Sequence, residues 1–165
     1  MAAKRPADPS DLPPDGVVRA EPRGCTNFKL RQMLRVVARR YDEQLAQAGL
    51  KGTQFSLLSH LVLSSPVQPS ILAADMGLDA STLTRNLAVL ADLGWVQMVP
   101  GDDGRSRRVL ITDAGRAKRA EALPYWKAAQ QSLNQRLGEP DVAALHALLD
   151  RGFARLADDT PALAE

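Results

Sequence analysis

Residues 80–111 read ASTLTRNLAVLADLGWVQMVPGDDGRSRRVLI, and two periodicities meet in them. Leu83, Leu87 and Leu90 recur at spacings of four and three, which places them on one face of a helix, and Gly94 supplies its stop. Beyond it Trp95, Val96, Gln97, Met98 and Val99 form an extended run. Pro100-Gly101-Asp102-Asp103-Gly104 is turn chemistry, and Arg108, Val109, Leu110 and Ile111 form a second extended run. That is the pattern of a β-hairpin, and Arg105, Arg107 and Arg108 make its tip basic. With the leucines turned inward, Ser81, Thr82, Thr84, Arg85 and Asn86 are available on the other faces of the preceding helix.

Working outward, a short helix fits residues 70–76, and Gly77 separates it from the helix that starts near Asp79 or Ala80. Two short helices joined by a tight glycine-containing turn form a helix-turn-helix. Before them, Thr53 is the expected N-cap of a helix through Phe55, Leu57, Leu58, Leu61 and Val62, which must end before Pro66. An earlier helix from about 26 to 48 carries Leu30, Leu34, Val37, Tyr41 and Leu45 on one face and stops at Gly49. After the hairpin, Thr112 can cap a long helix, in which Pro124 is expected to kink or break the chain near Leu123. A last helix begins with Pro140 in its first turn and presents Val142, Leu145, Leu148, Leu149 and Phe153 as its apolar stripe. Residues 1–24 hold Pro6, Pro9, Pro13, Pro14 and Pro22 among charged and small residues, the composition of a flexible arm.

The fold class that follows is mainly α with a small β-hairpin wing. At 165 residues with 45% apolar, the chain supports one good core. Aromatic residues at only 4% argue against a large sheet. The net charge of +2 says little by itself, but its distribution does. Arg23, Lys29, Arg31, Arg35, Arg39 and Arg40 fall together with no acid between them. Residues 105–119 are basic but for Asp113, and the chain from Glu139 onward is acidic.

The single cysteine, Cys25, excludes a disulfide within the chain and suits a reducing cytosol. No stretch approaches the roughly 20 apolar residues of a membrane span and no secretory pattern opens the chain, so the expected location is cytoplasmic with no membrane partner. His60, His146 and Cys25 compose no recognisable nucleophile, base or metal set, so neither an enzyme nor a cofactor or metal is expected.

Arginine and asparagine can bond base edges bidentately, which makes Arg85 and Asn86 the candidate base readers. Small hydroxyl residues at a helix start let a phosphate approach the positive end of the dipole. Taken alone, a Ser/Thr-rich helix start is equally capping chemistry. A basic two-stranded ribbon directly downstream, of the kind a narrow minor groove attracts, makes DNA the better reading.

From Cys25 to Ala157 the sequence resembles the MarR (multiple antibiotic resistance regulator) family. Ser81-Thr82-Leu83-Thr84-Arg85-Asn86-Leu87 looks like its recognition helix. Leu93-Gly94-Trp95-Val96, then Asp103-Gly104-Arg105-Ser106-Arg107-Arg108, then Ile111-Thr112-Asp113-Ala114-Gly115-Arg116 are similar to its wing and the helix after it.

The resemblance implies a MarR-type domain over 25–157, with a winged helix-turn-helix lobe at about 50–112. Dimerisation helices would lie at about 25–48 and 113–157, with a tail at 158–165. It also implies a wing salt bridge, carried over to Asp103 and Arg105, while another wing arginine enters the minor groove. This wing departs from the commoner adjacent Asp-Arg-Arg form, so which arginine does which stays open.

The partners implied are double-stranded DNA, a second copy of the chain, and a small aromatic or phenolic acid that releases a repressor from a pseudo-palindromic operator. Arg31, His60 and Trp126 are its candidate ligands. The competing readings are a solvated arginine, a half-buried imidazole and dimer-core packing. Two alternative functions remain. One is an oxidant sensor of the same fold built on Cys25, just ahead of the first helix and without a second cysteine to resolve it. The other is a winged-helix module that binds DNA without sequence preference, or binds protein. Whether Arg85 and Asn86 project from the surface discriminates that module from a sequence-specific regulator.

Overall fold

The computed structural model describes residues 23–101 and 106–157. The chain divides within its first helix into two compact units, one ending at Leu34 and the other beginning at Arg35. Helix α1 spans Thr26–Leu45 and passes into a 3-10 turn at Ala46–Ala48. Then come α2 (Gly52–Ser64), α3 (Pro69–Asp75), α4 (Ala80–Asp92), β1 (Val96–Pro100), β2 (Arg107–Ile111), α5 (Asp113–Leu137) and α6 (Glu139–Ala157). The architecture is mainly α with an antiparallel hairpin, as the sequence led one to expect. Except for residues 23 and 24, the expected arm lies outside the described residues, as does the tail at 158–165.

In the first unit, the Cys25 carbonyl accepts the Lys29 N–H at 3.2 Å, and Phe28, Leu30 and Leu34 are exposed. The second unit holds the core. Leu45, Leu57, Leu58, Leu61, Leu72, Leu83, Leu90 and Val109 are all under 2% exposed, so α2, α3, α4 and the hairpin close on one apolar centre. The leucine spacing that predicts the inward face of α4 is the spacing that is buried.

Two local expectations need correction. Helix α2 begins at Gly52, and Thr53 lies exposed in its first turn instead of capping it. The cap is supplied from two other places: Gln54 Oε1 accepts the Lys51 N–H at 2.8 Å, and Asp42 Oδ1 on α1 accepts the Gly52 N–H at 2.7 Å. Orphan N–H groups at a helix start take whichever acceptor tertiary structure brings near.

Pro124 does not break α5, which runs through it to Leu137. Proline removes one N–H, freeing the Ala120 carbonyl, but both residues sit on the exposed side, where water can satisfy it. The opposite face, with Ala122 and Ala129 buried, holds the helix in place.

The two-stranded hairpin is also tied to the chain ahead of it by an isolated bridge. Val67 pairs with Val109 through reciprocal backbone bonds of 3.1 and 2.8 Å, and Ser65 Oγ accepts the Ile111 N–H at 2.9 Å. These bonds tie the wing to the α2–α3 connection. A one-residue bridge beside Pro66 leaves no periodic signal in the sequence.

Candidate DNA-reading face and effector cavity

Helix α4 starts on Asp79, whose carboxylate accepts the Thr82 N–H at 2.8 Å as an N-cap. With Leu83, Leu87 and Leu90 inward, helical geometry points Ser81, Arg85 and Ala88 outward and leaves Thr82 and Asn86 on the flank. Accordingly, Ser81, Thr84 and Arg85 are exposed, while Thr82 and Asn86 are half-buried. Asp92, exposed on the same outward line, places an acid two turns beyond Arg85 and confines the cationic part of this face to the first two turns.

The Arg85 side chain lies back along its own helix, donating from Nε to the Ser81 carbonyl at 3.3 Å and from Nη2 to Ser81 Oγ at 3.4 Å. Both bonds are long, and the rest of the guanidinium fork is left for a ligand. The helix start expected to receive a phosphate is instead taken by the Asp79 carboxylate. Besides the backbone N–H it accepts the Ser81 hydroxyl at 2.6 Å and the Thr82 hydroxyl at 2.7 Å. These bonds hold its carboxyl well below the usual aspartate range.

On the wing, β1 and β2 pair Val96 with Ile111, Val99 with Arg108 and Pro100 with Arg107. Val109 and Ile111 are buried, which seats the ribbon against the core. Arg107 is exposed next to the turn and Arg108 is half-buried. Asp103 and Arg105, expected as the wing salt bridge, lie outside the described residues.

A cavity of about 590 Å³ opens between α1, α2 and α5 within the second unit. Tyr41, Phe55, Ser59, His60, Arg119 and Trp126 line it. Phe55 and Trp126 stack with ring centroids 5.9 Å apart and 19° between planes. The Arg119 guanidinium stands 5.8 Å from the Phe55 centroid, and its Nε donates to Ser59 Oγ at 3.4 Å. Tyr41 donates its hydroxyl to Gln130 Oε1, and burial pushes its pKa up. His60 Nδ1 donates to the Ser56 carbonyl at 2.9 Å.

Of the three expected effector ligands, this cavity gathers His60 and Trp126. Arg31 is exposed on the part of α1 that belongs to the first unit. The cavity's arginine is Arg119, which sequence reasoning missed. Its signal was there: Arg119 precedes Trp126 by two helical turns on one face of α5. Cys25 is exposed just ahead of α1. Among the described residues no cluster of His, Cys, Asp and Glu is arranged for a metal ion, and no helix is long and apolar enough to cross a membrane.

A model of the MarR family matches residues 48–106, from the 3-10 turn into the wing. The chain is 31% identical over 93 residues to the HTH-type transcriptional regulator YwoH of Bacillus subtilis strain 168, spanning 56% of this chain and 68% of that one. It is similar to the solved structure of the M. tuberculosis transcriptional regulator MosR in complex with DNA, at 34% identity and a TM-score of 0.65. That match covers 78% of this chain and 98% of the other. A probable transcriptional regulator from Pseudomonas aeruginosa matches at 26% identity with a TM-score of 0.71, over 76% and 95% of the two chains. The helix-turn-helix, the basic wing and these likenesses converge: the chain belongs to the MarR family of DNA-binding transcription regulators.

Proposed function

We propose that this regulator acts as a homodimeric repressor, reads a pseudo-palindromic operator with α4 and the wing, and is released by a small aromatic or phenolic acid. The observation that carries the reading is Arg85, exposed on the outward face of α4 with Arg107 exposed on the adjoining wing. Side chains meant for the protein's own core would not be displayed this way. An arginine fork matches the O6 and N7 acceptors of guanine in the major groove.

The dimer is supported by apolar surface that the chain leaves uncovered. Leu34 on α1 is 67% exposed and Phe153 on α6 is 70% exposed, with Phe28, Val36, Leu148 and Leu156 also exposed. Within each unit taken by itself, large apolar side chains left exposed in this way mark association surface. The effector class is supported by the cavity chemistry: the stacked Phe55 and Trp126 rings suit an aromatic body, and Arg119 suits a carboxylate.

The test is a titration, at one fixed salt concentration, of wild type and Arg85→Ala against duplex DNA from upstream of the chain's own gene and against a scrambled duplex. Salt is fixed because phosphate contacts make affinity steeply salt-dependent. The expected result is a preference for the upstream duplex on the order of 10³-fold, reduced in the variant. Equal binding to both duplexes would favour a sequence-tolerant architectural role, and binding to neither would remove the operator reading.

A further inference from the structure

Serine and threonine hydroxyls ordinarily read DNA poorly, because a rotating O–H can donate to one base and accept from another. The hydroxyls of α4 are not free to do so. Ser81 Oγ lies 2.6 Å and Thr82 Oγ1 2.7 Å from the Asp79 carboxylate, which has no hydrogen to give, so both hydroxyls must donate to it. Thr84 Oγ1 lies 2.7 Å from the Ala80 carbonyl oxygen, which also only accepts. All three protons are therefore directed inward, and exposed Ser81 and Thr84 offer lone pairs outward. Ser81 Oγ already takes one donor in this way, the Arg85 Nη2 at 3.4 Å.

In the major groove, cytosine and adenine present an amino donor, N4 or N6, where guanine and thymine present the acceptors O6 or O4. A hydroxyl locked as an acceptor accepts the first pair and rejects the second. We propose that Asp79 is a positioning residue for base readout: by fixing Ser81 as an acceptor beside Arg85, it makes α4 select a base with an exocyclic amino group at one operator position. This rests on the reading of α4 as the helix that meets base edges.

The same wiring argues against a phosphate as the ligand of these hydroxyls. Donating to a phosphate would require Ser81 and Thr82 to give up Asp79, and the carboxylate would stand close to a second negative charge. With its carboxyl held below the usual range, Asp79 remains an acceptor across the pH range in which DNA binding is measured.

The experiment is selection from a randomised duplex library, at fixed salt, by full-length wild type, Asp79→Asn, Asp79→Ser, Ser81→Ala and Arg85→Ala. Asp79→Ser keeps a helix cap for the Thr82 N–H but removes the carboxylate, and circular dichroism confirms that each variant is folded. Wild type is expected to enrich adenine or cytosine over guanine and thymine on the order of tenfold at one half-site position, and the sequences recovered show which of the two it is.

That position should relax in Ser81→Ala and in Asp79→Ser, whose hydroxyl can also donate and so no longer fixes the Ser81 proton. Asp79→Asn, whose amide oxygen still accepts the Ser81 O–H, should keep the preference, while a neighbouring position relaxes in Arg85→Ala. Loss of the Asp79 charge by itself would raise affinity for all sequences alike and leave the profile unchanged. If wild type shows no amino-base preference, or Asp79→Ser keeps the wild-type profile while Arg85→Ala alters it, the inference is overturned and the reading of α4 stands. A profile unchanged in Arg85→Ala as well removes that reading, and the inference with it.

Discussion

Gly115 lies buried in the first turn of α5, where a Cβ would come 2.9 Å from Ile111 Cγ1 and 3.0 Å from the Trp95 carbonyl carbon, with that carbonyl's oxygen nearer still. The corner cannot open easily. The Thr112 N–H donates to the same Trp95 carbonyl at 3.0 Å, and the Thr112 hydroxyl donates to the Gly94 carbonyl at 2.8 Å while accepting the Gly115 N–H at 3.1 Å. In an exposed helix, replacing glycine by alanine gains up to about 1 kcal/mol, whereas overpacking a tight interior costs about 1–3 kcal/mol. The second effect should win: Gly115→Ala is expected to lower stability by about 1–2 kcal/mol, seen as a lower urea midpoint at unchanged slope. A midpoint at or above that of wild type would mean the α5 corner yields freely. Gly115 was legible only as part of a motif, because the need for glycine arises from Trp95, which the sequence places twenty residues away. Arg119 was hidden for a related reason. Its spacing to Trp126 puts both on one face of α5, but what that face meets is set by Ser59 and Phe55 on α2, distant in sequence.

Between residue and fold, helix ends show most clearly what a sequence carries. At α4 the N-cap aspartate, the inward leucines and the stop at Gly94 are all local, so this helix was readable to within a residue. At α2 the capping groups are Gln54 and Asp42, the second from another helix, and Thr53 was the wrong choice because only tertiary structure brings Asp42 there. The Asp79 cap makes a pH dependence that can be checked. Its carboxyl is held below the ordinary range in the folded chain, so between the folded and unfolded values the unfolded chain binds more protons and stability rises with pH. The contribution is fully present above the unfolded aspartate value of about 3.9 and fades as pH falls below it. Wild type should therefore be more stable than Asp79→Asn at neutral pH, and the gap between their thermal midpoints should narrow on going from pH 7 to about pH 3. A gap that stays constant would show that the carboxylate's charge is not what α4 uses.

For the whole molecule, the question is whether the proposed effector can supply enough free energy to move a repressor off DNA. Shifting a two-state equilibrium from 1:99 to 99:1 takes a differential affinity of about 10⁴, or about 5.5 kcal/mol. One charge-assisted bond from Arg119 is worth about 1.5–3 kcal/mol, and ring contact with Phe55 and Trp126 adds about 0.5–1.5 kcal/mol. Even if all of this is gained only in the released state, one cavity falls short at about 3 kcal/mol, while two reach the requirement. The proposed symmetric dimer would have two cavities, which would couple the oligomer to the switch energetically. Release of DNA by benzoate or a substituted analogue should follow a curve steeper than one-site binding in wild type, and Arg119→Ala should move it to much higher ligand concentration. Phe153→Glu places a charge on apolar surface that α6 leaves 70% exposed and should yield a monomer by sedimentation, with weak binding to a single half-site. A one-site curve in wild type would show that a single cavity suffices, and that the differential affinity comes from contacts other than the Arg119 pair and the two rings.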